Sequence, residues 1–101
     1  MPTKKKTAER YVVIRSARAG CFAGVLAAGG IGTATLTNCR RLWYWAGAAS
    51  LSQLAVEGTS KPRDCKFPIA VPTQEIGEVI EVIDATPQAR ESIEAVQVWR
   101  A

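Results

Sequence analysis

The tripeptide Ala28-Gly29-Gly30 constrains the fold more than any other feature of the sequence. Two adjacent glycines both accept positive φ, which is what a tight hairpin turn demands. They stand between two runs of β character. Residues 21–28 (CFAGVLAA) are apolar. Within them Gly24 suits a bulge or a close backbone approach better than a helix interior, where glycine costs about 1 kcal/mol relative to alanine. Residues 31–38 alternate, with Ile31, Thr33, Thr35 and Thr37 on one face and Ala34 and Leu36 on the other. These runs read as the second and third strands of an antiparallel sheet. A first strand precedes them at residues 10–15 (RYVVIR), and residues 16–20 turn between.

Asn38 either ends the third strand or lies inside a run that continues to Trp45. Strict alternation then puts Cys39, Arg41, Trp43 and Trp45 on one face and Arg40, Leu42 and Tyr44 on the other. Residues 46–58 read as a loop with room for a helical turn, since Gly47 and two serines weaken the helical spacing of Leu51, Leu54 and Ala55. Pro62, Pro68 and Pro72 make residues 59–72 an irregular crossing, with edge-strand character at 69–71. Residues 76–83 (IGEVIEVI) form a long strand, with Ile76, Glu78, Ile80 and Val82 on one side. Thr86 is a fitting N-cap and Pro87 a fitting first residue for a short helix. Residues 96–99 add an edge strand or dock on the core. The expected class is mainly β (a β-rich α+β fold): a small antiparallel sheet, barrel or sandwich with one short C-terminal helix. Residues 1–9 read as a basic flexible tail and residues 10–101 as a single domain.

Composition narrows the function. With 101 residues, 48% hydrophobic and 22% charged, the chain suffices for one modest core. No apolar run reaches the roughly 18 residues of a membrane span. The N-terminal lysines have no apolar stretch behind them and do not read as a secretory signal. The protein is expected to stay in the cell that makes it or to leave inside an assembly. Net charge is +4, and Lys4, Lys5 and Lys6 contribute a salt-sensitive attraction to anions or merely solubilise a tail.

Histidine is absent, so no Ser-His or Cys-His nucleophile pair exists. Three cysteines, Cys21, Cys39 and Cys65, lack the spacing of a zinc site or a disulfide framework. They read as small apolar residues, with one inter-subunit bridge as the alternative. Gly29-Gly30-Ile31-Gly32 leads into a strand rather than a helix, so it fails as a dinucleotide fingerprint. Glu75, Glu78, Glu81 and Asp84 recur along a strand at a spacing that puts neighbours on opposite faces, and read as solvated charges rather than a dyad or metal cage. No catalytic residue, metal or cofactor is expected.

The informative constellation is Arg40, Arg41, Leu42, Trp43, Tyr44 and Trp45. Cations beside aromatic rings serve nucleotide and nucleic-acid sites, and the same residues dominate protein interfaces. The competing assignment makes Trp43 and Trp45 core and the arginines snorkelling strand ends. Combining these, Trp43 and Trp45 are expected to face the core, with Arg41 at the rim of that face. Arg40 and Tyr44 are expected to face a partner.

Several blocks resemble a family of uncharacterised small proteins of tailed bacteriophages and prophages. They are residues 19–24 (AGCFAG), 35–45 (TLTNCRRLWYW), Leu54-Ala55, residues 65–72 (CKFPIAVP) and the C-terminal strand with its Thr-Pro-started helix. Together they span roughly residues 10–96. At Cys39 the pattern expects a small residue such as alanine, which argues against a functional thiol. The resemblance implies a phage origin and a small β-rich architecture, and it carries over no functional residues. Two functions follow as expectations. One is an accessory, non-enzymatic protein in the host bacterial cytoplasm that captures an anionic partner (a nucleotide signal, nucleic acid or host defence component). The other is a virion protein that decorates or connects a phage capsid through the same strand. Self-association, most simply a dimer, is expected from open strand edges. No membrane partner is expected.

Overall fold

Strand β1 (Tyr11–Ser16) has no solvent face over most of its length: Tyr11, Val12, Val13, Ile14 and Ser16 are all buried, and only Arg15 is exposed. A computed structural model describes residues 9–100 of the chain, and the basic tail expected at residues 1–9 lies almost entirely outside the described residues. β1 runs antiparallel to β2 (Gly20–Gly29). Between them Ser16 Oγ accepts from the backbone of Ala19 at 3.1 Å and donates to the Gly77 carbonyl at 2.8 Å. β3 (Gly32–Arg41) returns beside β2 through the glycine turn. There Gly30 N–H donates to the Thr33 carbonyl at 3.0 Å. Gly29 takes φ +79°, and a Cβ on it would stand 2.1 Å from the Thr33 carbonyl oxygen, so only glycine fits.

β4 (Val71–Asp84) closes the structure. Its first part pairs with β3, from Cys39↔Val71 to Thr33↔Gly77, and its second part pairs with β1, from Arg15↔Glu81 to Val12↔Asp84. Val79 stands at the handover, aligned with both Gly32 and Ser16. The result is a closed four-stranded antiparallel barrel. Closure gives every strand two neighbours, yet each half of β4 pairs along one side only, the first with β3 and the second with β1.

Two cores follow from this arrangement. Inside the barrel, Val12, Ile14, Phe22, Leu36, Ile76 and Val79 pack together with Ala34 and Cys39. Outside, the opposite faces of β1 and β2 present Tyr11, Val13 and Ala23 to a cap. The cap comprises α1 (Leu51–Glu57), α2 (Pro87–Ala95) and the segment around Phe67. The expected C-terminal helix forms as read: Thr86 Oγ1 accepts from Ala89 N–H at 3.0 Å and Pro87 occupies the first turn. Thr86 also donates to the Val56 carbonyl at 2.7 Å, which ties the start of α2 to the end of α1. α1 is a correction to the expected loop. Ser50 caps it by accepting from Gln53 N–H, and burial of Leu51, Leu54 and Ala55 outweighs the weak helical propensity of the segment. β4 also begins at Val71, five residues earlier than expected, despite Pro72. Among the described residues no helix is long and apolar enough to cross a membrane.

Candidate functional site

The constellation at residues 40–45 lies where β3 leaves the barrel, and a bulge decides which way its side chains point. Asn38 adopts φ +50°, a left-handed conformation that asparagine tolerates. Opposite it, Val25↔Thr37 gives way to Ala23↔Arg40, so β3 holds one extra residue there. Gly24 makes the bulge possible, because a Cβ at that position would meet the Thr37 carbonyl at 3.0 Å and the Cys39 Cα at 3.1 Å. The alternation therefore shifts, and Ala34, Leu36 and then Cys39 enter the barrel.

Arg40 consequently turns under the cap, and the expectation that it faces a partner is overturned. Its side chain is buried (5% exposed). Its Nε donates to the Pro68 carbonyl at 3.2 Å and its Nη2 to Phe67 at 2.9 Å, while Nη1 donates to Ile93 at 2.9 Å and Val96 at 2.7 Å. The guanidinium thus fastens two segments to β3: the chain at residues 67–68 and the last turn of α2, whose carbonyls carry the negative end of the helix dipole. Burial pulls its pKa down.

Arg41 sits half-buried at the barrel mouth, 4.6 Å above the Phe22 ring, and donates from Nη1 to the Ala19 carbonyl at 2.7 Å. The continuous strand expected to run to Trp45 ends at Arg41. Trp43 is a second correction, since it is 64% exposed rather than core. Trp43 lies beyond the last residue of β3 and belongs to neither core cluster. Trp45 is partly buried against the cap core. Trp43 and Trp45 line an open groove with Ala19, Gly20, Cys21 and Arg41.

Tyr44 is exposed (52%), as expected, and has company the sequence reading did not assign. Tyr44 N–H donates to the Lys66 carbonyl at 3.3 Å, and Lys66 N–H donates to the Tyr44 carbonyl at 2.7 Å. Phe67 bridges Val98 in parallel, and Trp99 N–H donates to the Phe67 carbonyl at 3.0 Å. Three chain segments therefore lie side by side. Phe67 and Cys65 point into the cap core, and Lys66 between them points out. The Lys66 ammonium stands 5.9 Å from the Tyr44 ring centre and 5.5 Å from that of Trp99, which is 41% exposed. The outcome is an exposed aromatic–ammonium–aromatic row about 10 Å across at ordinary strand spacing. Arg40, holding the carbonyls of Phe67 and Val96, fixes two of the three segments from beneath.

Charge is sorted around this row. Arg10 pairs with Asp84, Arg15 with Glu81, Arg18 with Glu78, and Arg90 with Glu9 and Glu94. Those pairs place three of the four β4 carboxylates in exposed ion pairs. Arg41, Lys61, Arg63 and Lys66 pair with no carboxylate side chain among the described residues. Arg63 and Trp99 line one groove with Pro62 and Gln97. Lys66 and Trp99 were legible only through local alternation: Cys65 and Phe67 inside imply Lys66 outside.

The fold and the row together define a small capped β-barrel domain with a cationic-aromatic rim. Residues 9–93 match the family model described as a domain of unknown function, DUF6948, and the chain belongs to that family. No curated protein and no solved structure matches the chain.

Proposed function

We propose that this chain is a non-enzymatic binding protein that takes an anionic partner on the rim of its cap. One observation carries the reading. Among the described residues the cations are divided into a set held by carboxylates of Glu9, β4 and α2 and a set with no carboxylate partner, of which Lys66 and Arg63 stand beside the exposed rings of Tyr44 and Trp99. A cation held by no carboxylate can be drawn to an incoming anion, and rings left partly exposed by the fold add contact area on binding. As part of this reading the chain acts as an accessory factor of a tailed phage inside the infected cell, a role supported by the sequence blocks that resemble that family.

Equal changes in net charge at two places test it. Fluorescein-labelled heparin, followed by anisotropy at low salt, should bind the wild-type chain. Arg63→Gln with Lys66→Gln should weaken binding at least tenfold, whereas Arg10→Gln with Arg15→Gln should change it little. Equal weakening by both pairs would show that binding follows net charge alone, and the reading would be lost.

A further inference from the structure

We infer that the anionic partner is single-stranded nucleic acid, with one base on Tyr44, one on Trp99 and the phosphate between them on Lys66. The inference rests on the anionic-partner reading and names its occupant. The order of chemistry along the row is π-face, cation, π-face, which matches the order base, phosphate, base along an unpaired strand. In the free protein the Lys66 ammonium covers a face of each ring. A base that stacks on a ring contributes more than an exposed ammonium above it, so the base displaces the lysine. The displaced ammonium remains tethered between the two rings, where the linking phosphate would lie. Arg63, beside Trp99, offers a second phosphate contact in the next step of the strand.

Other anionic partners fit less of the row. A duplex keeps its bases stacked on one another and offers the rings no face. Readout of a duplex groove needs a projecting helix or ribbon, and both helices here are packed by their apolar sides on the cap core. A single nucleotide uses one ring and leaves the other idle. An acidic peptide satisfies Lys66 and Arg63 but gives the two ring faces nothing planar to stack on.

The test uses the full chain with fluorescein-labelled dT12 and rU12, which form no internal duplex, beside a dA12–dT12 duplex, heparin and polyglutamate. Anisotropy should show the single strands binding more tightly than the duplex or polyglutamate. Tyr44→Leu and Trp99→Leu keep apolar bulk but lose the planar face, and each should weaken single-strand binding about tenfold while leaving heparin binding unchanged. Lys66→Gln should reduce the slope of log affinity against log salt by about 0.7, the value for one phosphate of a single strand. Melting curves confirm that each variant is folded. Unequal affinity for dT12 and rU12 would assign the sugar without changing the conclusion. If heparin and polyglutamate bind as tightly as the single strands and the two leucine variants bind like wild type, this inference is overturned and the anionic-partner reading stands. If none of the polyanions binds, both fall.

Discussion

Arg40 holds its charge beneath the cap with no carboxylate among the described residues to meet it, and four carbonyls take that part instead. Removing the guanidinium takes the donor from the Pro68 and Val96 carbonyls, while Phe67 and Ile93 keep the backbone N–H of Trp99 and Val96. A buried acceptor left without a donor costs more than the bond is worth when made. Arg40→Ala should therefore cost roughly 3–5 kcal/mol in urea unfolding. Arg40→Lys should recover less than half of that, because a point-like ammonium cannot span the fork of acceptors. A lysine variant as stable as wild type would refute this account. Burial also pushes the Tyr11 phenol up to about 12, helped by the Glu94 charge, and the Cys39 thiol up to about 11. Both groups stay protonated in the folded chain above the pH at which the unfolded chain releases them. Their contribution is complete below about pH 9, the lower of their ordinary values, and is lost as pH rises through 11 and 12. Each should remove roughly 2–3 kcal/mol over its window. Tyr11→Phe should flatten the fall between pH 10 and 12 in unfolding measured at stepped pH, and an unchanged fall would rule Tyr11 out. Alternation along residues 40–45 assigned Arg40 and Trp43 to the wrong sides. Alternation counted through Asn38 carries no warning that an asparagine there turns left-handed.

Bulges settle at the level of elements what the residue pattern leaves open. The hairpin at Gly29, the outward threonines of β3 and the Thr86-capped helix were legible because each depends on neighbours in sequence. Barrel closure was not, because it depends on where β4 changes partners. Glu78 takes φ +54° at that change, an uncommon conformation for a non-glycine residue, and its carbonyl accepts from Ala17 N–H at 2.9 Å. The exposed pair of Glu78 with Arg18 at 3.3 Å adds little to offset the strain. Glu78→Gly should be neutral or stabilising by up to about 1 kcal/mol, while Glu78→Val should cost about 1–3 kcal/mol, since a β-branched residue suits this region least. Urea midpoints compare them, and a glycine variant as damaged as the valine one would mean that the side chain, not the backbone, matters here. The aromatic–ammonium row illustrates the same boundary. Tyr44, Lys66 and Trp99 come from three segments spread over 56 positions, joined by single bridges that no local pattern announces.

Considered as a whole, the molecule has two cores that share one strand. Val12 and Ile14 of β1 fill the barrel, while Tyr11 and Val13 of the same strand fill the cap. β1 also bonds to β2 on one side and β4 on the other. Losing the cap would expose one face of the strand that holds the barrel closed, and opening the barrel would remove the floor of the cap. Neither core is large enough to stand alone in a chain of 101 residues, where small domains are already marginal. Unfolding should accordingly be a single cooperative step. The distribution of chromophores makes this measurable. The three tryptophans, Trp43, Trp45 and Trp99, all sit on the cap or its rim, whereas most of the strand signal in far-UV circular dichroism comes from the barrel. Tryptophan fluorescence and circular dichroism should therefore give coincident urea curves. A fluorescence midpoint clearly below the dichroism midpoint would mean that the cap opens first. The row at its rim would then be a feature of a detachable layer rather than of the closed barrel.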